Sequence, residues 1–208
     1  LTRGRFITLE GGEGAGKTTA MRTISEWLSR KGREVVITRE PGGTAAAERI
    51  RELLLDPETG TLTPMSELLL MFAARQENLA GVIRPALSAG TDVVCDRFTD
   101  ASRAYQGAGR QLGDAAVEAL ADLVHPDLRP DLTLLLDVPV ALGMERIRGR
   151  EGGPDRMEQS RPDFLERVRQ AYLRQAEREP DRFVVIDASR PLPDVSAAIE
   201  TALEAKWS

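Results

Sequence analysis

Gly11 and Gly16 bracket four residues and are followed at once by Lys17 and Thr18, the spacing of a phosphate-binding Walker A loop. Glycines at these positions let backbone N–H groups curl around phosphate oxygens, and a helix starting there adds its positive dipole end. A lysine here bridges the β- and γ-phosphates of a nucleoside triphosphate, and the neighbouring hydroxyl sits on magnesium. The run Gly11, Gly12, Glu13, Gly14, Ala15, Gly16, Lys17, Thr18, Thr19 is therefore expected to hold ATP and Mg²⁺. A chance glycine-rich turn is the bland competitor. The apolar run before the loop and the helical pattern after it weigh against that.

A second set of residues suits a phosphate acceptor. A nucleoside monophosphate is a dianion, and arginine forks match its oxygens. Arg39 follows one apolar run and Arg97 follows another, so both fall on the rim that carries Lys17. Asp96 precedes Arg97, where a carboxylate can order magnesium water or position an acceptor arginine. A surface ion pair explains each residue taken alone. Two such arginines beside a Walker A loop favour the functional reading.

These residues need a frame. Five apolar runs, 6–10, 34–38, 92–96, 132–137 and 183–187, read as strands. Helical stretches are expected over about 17–30, 45–55, 64–88, 114–124, 140–148, 162–178 and 193–206. Residues 56–63 read as a polar loop and 97–113 as a loop with some helix. Strands that alternate with helices, and are apolar without alternation, predict an α/β fold: a five-stranded parallel sheet covered on both faces. Ligands then bind beyond the strands' carboxyl ends, where the candidate loops lie. Gly149-Arg-Glu-Gly-Gly-Pro-Asp-Arg156 has the composition of a mobile flap, or LID, spanning about 148–158. One domain, 1–208, is expected.

The bulk composition narrows the class. The 208 residues are 41% hydrophobic and 29% charged, with net charge −5, which argues against a non-specific nucleic-acid binder. No apolar run reaches the roughly 18–20 residues of a membrane span, and the first ten residues lack a signal peptide's apolar stretch. A cytoplasmic protein is expected. The single Cys95 and single His125 cannot build a disulfide framework or a His/Cys zinc site. Only three of 28 basic residues are lysines, and the GTPase signature Asn-Lys-x-Asp is absent.

Taken in order, Leu-Glu-Gly-Gly-Glu-Gly-Ala-Gly-Lys-Thr-Thr (9–19), Thr-Arg-Glu-Pro-Gly-Gly-Thr (38–44), Ala-Ala-Arg (73–75), Asp-Arg-Phe (96–98), Ala-Tyr-Gln-Gly (104–107) and Asp-Arg-Met-Glu (155–158) make the chain resemble bacterial thymidylate kinases over nearly its whole length. Walker A is generic; Arg-Glu-Pro-Gly-Gly with Asp-Arg-Phe and Ala-Tyr-Gln-Gly is specific. The resemblance implies a P-loop NTPase fold and Mg²⁺-dependent transfer from ATP to dTMP. Glu13 would bind the acceptor 3′-hydroxyl, and Arg39 and Arg97 its phosphate. Arg75 and Gln106 would meet the thymine edge, with Ser102 nearby. Tyr105 would crowd the 2′ position, and Pro41 and Arg51 would line the base pocket.

Two positions depart from the family pattern. Where many relatives stack a phenylalanine on thymine, this chain has Met71, with Phe72 beside it, and the two diverge by about 100° on a helix. Where eukaryotic relatives carry an arginine after the loop's acidic residue, this chain has Gly14. The catalytic arginine is then expected from the flap, from Arg148, Arg150 or Arg156. The resemblance also implies a homodimer, for which the apolar 64–89 stretch could supply a face. The alternatives are another P-loop nucleotide or nucleoside kinase, a partner-activated P-loop ATPase, and nucleotide binding without turnover.

Overall fold

The computed structural model describes residues 3–148 and 161–207. Its five strands are β1 (Phe6–Gly11), β2 (Val35–Arg39), β3 (Asp92–Asp96), β4 (Leu132–Asp137) and β5 (Phe183–Asp187). They form one sheet in the order β2-β3-β1-β4-β5, parallel throughout. The apolar strands without alternation find their explanation in the pleat, because successive side chains feed opposite faces. Ile7, Leu9, Val94, Leu132, Leu134 and Leu136 pack toward α1 (Lys17–Arg30) and α9 (Leu192–Trp207). Phe6, Val93 and Cys95 pack on the other face, against Leu79, Ile83 and Leu87. Leu135 joins a third cluster with α8 (Pro162–Arg178).

Strand register positions the site. Asp96, the last residue of β3, pairs with Leu9 on one side and Arg39 on the other. The sheet therefore brings the phosphate loop after β1 next to Arg39, Asp96 and Arg97. β2 runs one residue later than the sequence suggests, so that Arg39 is its final residue.

The expected helix over 64–88 is interrupted. α3 (Pro64–Asn78) begins with Thr63 accepting the Ser66 N–H and Pro64 in the first turn. A π turn over Leu79–Ile83 then leads into α4 (Arg84–Ser88). Pro85 causes the break: it has no N–H to give the carbonyl four residues back, and its ring crowds that carbonyl. The 97–113 segment is more ordered than its composition suggests. It forms α5 (Thr99–Ser102) and a π-helical stretch, Arg103–Gly109, closed by the Arg110 N–H on the Tyr105 carbonyl at 2.8 Å. The α-helices α2 (Ala45–Leu55), α6 (Asp114–Val124) and α7 (Val140–Arg148) fall where expected, while the 56–63 loop contains a 3₁₀ turn over Pro57–Thr59, started by Asp56 accepting the Glu58 N–H. Among the described residues no helix is long and apolar enough to cross a membrane.

Candidate active site

A cleft of about 880 Å³ opens beyond the carboxyl ends of the strands. Glu13 to Thr18 form its floor. The loop needs its glycines: Gly11, Gly14 and Gly16 have φ of 144°, 70° and 87°. Gly16 leads into α1, whose first turn has no side-chain cap and no acidic residue. Its N–H groups and positive dipole end are thereby left for an anion. Burial, reinforced by the Arg97 charge, draws the Lys17 ammonium below the usual lysine range. Thr18 and Asp96 both line the cleft, and Asp96 Oδ1 is buried without a hydrogen-bond partner. An orphan carboxylate oxygen and a hydroxyl beside an anion-binding loop are hard oxygen donors, the set that magnesium takes.

Gly14 and Gly143 explain one departure. A Cβ on Gly14 would collide with the Gly143 carbonyl, and a Cβ on Gly143 with the Glu13 carbonyl. α7 therefore presses on the phosphate loop, and position 14, already at positive φ, has no room for an arginine.

The acceptor side is built around Arg97. Its φ is 71°, a conformation that costs a non-glycine residue about 1–3 kcal/mol. β1 holds it there: Arg97 N–H donates to the Leu9 carbonyl at 2.9 Å, and Phe98 N–H to Glu10 Oε1 at 2.8 Å. The guanidinium donates to Glu13 Oε1 at 2.8 Å and to the Tyr172 hydroxyl at 3.2 Å, and lies 4.6 Å over the Tyr105 ring. Tyr105 donates to the same Glu13 oxygen at 2.6 Å, and Tyr172 to Glu10 Oε2 at 2.8 Å. Burial pushes the Glu10 carboxyl up to about 8, with the Asp100 charge adding to the shift. Arg39, half exposed on the rim, donates to Glu48 at 2.8 Å, and Arg51 to the Pro41 carbonyl at 2.9 Å. Pairing with Arg39 holds the Glu48 carboxyl below the usual range.

Met71 and Gln106 also line the cleft, as do Arg39, Pro41, Arg51, Arg97 and Tyr105. Phe72 does not. It packs into a core with Leu68, Val117 and Ala121, and stacks on His125 with centroids 6.3 Å apart. Arg75 lies behind the wall, fully buried, between the Phe72 and Phe98 rings at 4.3 and 5.1 Å. Its Nε donates to Glu40 at 2.7 Å and its Nη2 to Ser102 at 3.0 Å, while Nη1 has no partner. Gly11, Gly12, Thr19 and Ser102 are likewise adjacent to the cleft rather than on its wall.

At the opposite end the wall is Arg146, Ile147, Ser189, Arg190, Pro191 and Leu192. Arg146 Nη1 donates to the Ala188 carbonyl at 2.9 Å and to the Gly14 carbonyl at 3.3 Å, tying the loop after β5 to the phosphate loop. This end carries no sequence motif, although the loop after β5 lies on the same rim as the others. Tyr172 and Glu67 arrive from α8 and α3, likewise with no local motif to announce them. Of the expected flap arginines, Arg148 is exposed and off the cleft wall. It sits two residues past Arg146, on about the opposite face of α7. Arg150 and Arg156 lie outside the described residues.

Comparisons with known proteins identify the family. The sequence model of the thymidylate kinase family matches residues 9–199. The thymidylate kinase of Alkalilimnicola ehrlichii is 56% identical, the match covering 98% of this chain and 94% of that protein. That of Chromohalobacter salexigens is 54% identical over the full length of both. The crystal structure of thymidylate kinase from Ehrlichia chaffeensis superposes with a TM-score of 0.76 at 34% identity, covering 98% of each chain. With its phosphate loop, its rim arginines and its full-length likeness to these enzymes, the chain belongs to the thymidylate kinase family.

Proposed function

We propose that this chain transfers the γ-phosphoryl group of ATP to dTMP, yielding dTDP for dTTP synthesis. One observation carries the reading: a single cleft joins the phosphate loop to the arginine rim and to a buried wall made of apolar Met71 and polar Gln106. Donor and acceptor phosphates can then be set in line, and phosphoryl transfer needs little beyond positioning and charge. Lys17 and the α1 N-terminus hold the donor phosphates. Thr18 and Asp96 would hold Mg²⁺, which when bound neutralises charge on the β- and γ-oxygens. Arg97 and Arg39 hold the acceptor phosphate.

Glu13, already bonded to Arg97 and Tyr105, takes the acceptor 3′-hydroxyl, and Tyr105 crowds the 2′ position. Met71 covers the base. Gln106, with Arg75 and Ser102 behind it, reads the base edge. Arg146 joins Arg148, Arg150 and Arg156 as a source of the arginine that Gly14 cannot supply. The chain acts as one domain in the cytoplasm; the LID expected over 148–158 lies, past Arg148, outside the described residues. The exposed Leu53, Met65 and Leu69 on α2 and α3 support a homodimer.

Phosphorus NMR on a mixture of ATP, Mg²⁺ and dTMP tests the reading. It should show dTDP and ADP rising together. ATP giving inorganic phosphate whether or not dTMP is present would instead favour a partner-activated ATPase.

A further inference from the structure

Glu67 sits 1% exposed on α3, facing Gln106 across the base end of the cleft. Gln106 Nε2 donates to Glu67 Oε1 at 2.9 Å, and Arg110 donates to both Glu67 oxygens at 3.2 Å. A carboxylate paired with an arginine only accepts hydrogen bonds. The Gln106 carboxamide therefore has one orientation, with its NH₂ toward Glu67 and its carbonyl away. That Oε1 is buried and has no partner, on a side chain that lines the cleft. One turn back, Arg75 rests on Ser102 with Nη1 unpartnered. The wall thus offers a group that can only accept, and Arg75, buried directly behind it, can only donate.

We propose that Glu67 is a specificity-determining positioning residue, which locks the Gln106 amide so that the wall accepts the N3–H of a 4-oxo pyrimidine and rejects a 4-amino pyrimidine. The inference rests on the dTMP reading. Thymine and uracil present a donor at N3 and an acceptor at O4, whereas cytosine presents the reverse. An unlocked carboxamide could turn over and donate to cytosine N3. A locked one leaves two acceptors facing each other in a buried site, which is how such sites discriminate strongly. Glu67 could instead serve only as the counterion of Arg110, and that alternative makes different predictions.

Glu67→Gln keeps the shape but can accept from Gln106 or donate to it. Its kcat/KM for dCMP should rise, and the dTMP-to-dCMP ratio should fall about tenfold or more. Arg110→Lys, which keeps a cation beside the buried carboxylate so that Glu67 still only accepts, should hold the ratio within about threefold. Gln106→Met, which deletes the acceptor, should narrow the ratio even if Glu67→Gln does not fold. Competition of dTMP and dCMP for binding, measured in parallel, separates this claim from the kinase reading. A wild type that binds dTMP over dCMP but turns over neither refutes the kinase reading and still measures the lock. The lock is overturned if Glu67→Gln loses both substrates in step, if Arg110→Lys collapses the ratio as far, if Gln106→Met leaves it intact, or if the wild type binds both nucleotides alike.

Discussion

Arg97 donates to Glu13 at 2.8 Å, a bond that joins the end of β3 to the phosphate loop after β1. Tyr172 backs this pair from α8, with its hydroxyl between Arg97 and Glu10. Tyr172 is not on the cleft wall, so its hydroxyl acts on the acceptor site only through Arg97. Tyr172→Phe leaves buried partners short of a hydrogen bond and should lower stability by about 1–3 kcal/mol. It should also raise the dTMP KM several-fold more than it lowers kcat. Denaturant unfolding with steady-state kinetics checks both, and wild-type values in both would remove Tyr172 from the account.

Lys17→Ala should reduce turnover by at least about 10²-fold, the scale of losing one charge-stabilising group. The fold should survive, because the Lys17 ammonium is disfavoured by burial where it stands. The thermal midpoint and turnover of this variant are the measurements. Loss of fold along with activity would mean that Lys17 is structural.

Gly143→Ala should weaken ATP binding although position 143 carries no ligand group. The added methyl meets the Glu13 carbonyl and must push the phosphate loop or α7 aside, a cost of about 1–3 kcal/mol for overpacking. Titration with a non-hydrolysable ATP analogue should show weaker binding. Wild-type affinity for the analogue would contradict the contact between α7 and the phosphate loop.

The sheet and the rim were legible because their signals are local: five apolar runs, a glycine spacing, and arginines at strand ends. Register then did what spacing could not, placing Arg39 and Asp96 side by side. Met71 and Phe72 could not be separated from sequence, since both are apolar and adjacent; the core with Leu68 and Val117 claims Phe72. Arg75 reads as a base contact by motif, yet three-dimensional packing makes it half of a buried pair with Glu40 as well. Removing Glu40 would leave that charge uncompensated, a loss of about 3–5 kcal/mol. Tyr172 and Glu67 were invisible because their partners lie 75 and 39 residues away in the chain.

His125, the lone histidine, gives a clean pH test. Burial, helped by the Arg75 charge, draws its imidazole from 6.5 down to about 4. The Leu128 carbonyl only accepts, so Nδ1 carries the proton and Nε2 accepts from the Thr99 hydroxyl at 2.8 Å. The folded state binds this proton less readily than the unfolded chain. The contribution is therefore complete above pH 6.5 and is lost as pH falls through about 4, roughly 3 kcal/mol in all. NMR titration of the single imidazole should give a midpoint near 4. A midpoint near 6.5 would show the ring to be solvated.

The central claim is that this cleft phosphorylates dTMP in preference to other nucleoside monophosphates. A coupled ADP-release assay, with dTMP, dUMP, UMP, CMP, AMP and GMP offered in turn, tests it most directly. The account predicts Mg²⁺-dependent ADP release that requires an acceptor and has its highest kcat/KM with dTMP. ADP release unaffected by dTMP, or a higher kcat/KM with UMP, CMP, AMP or GMP, would contradict it.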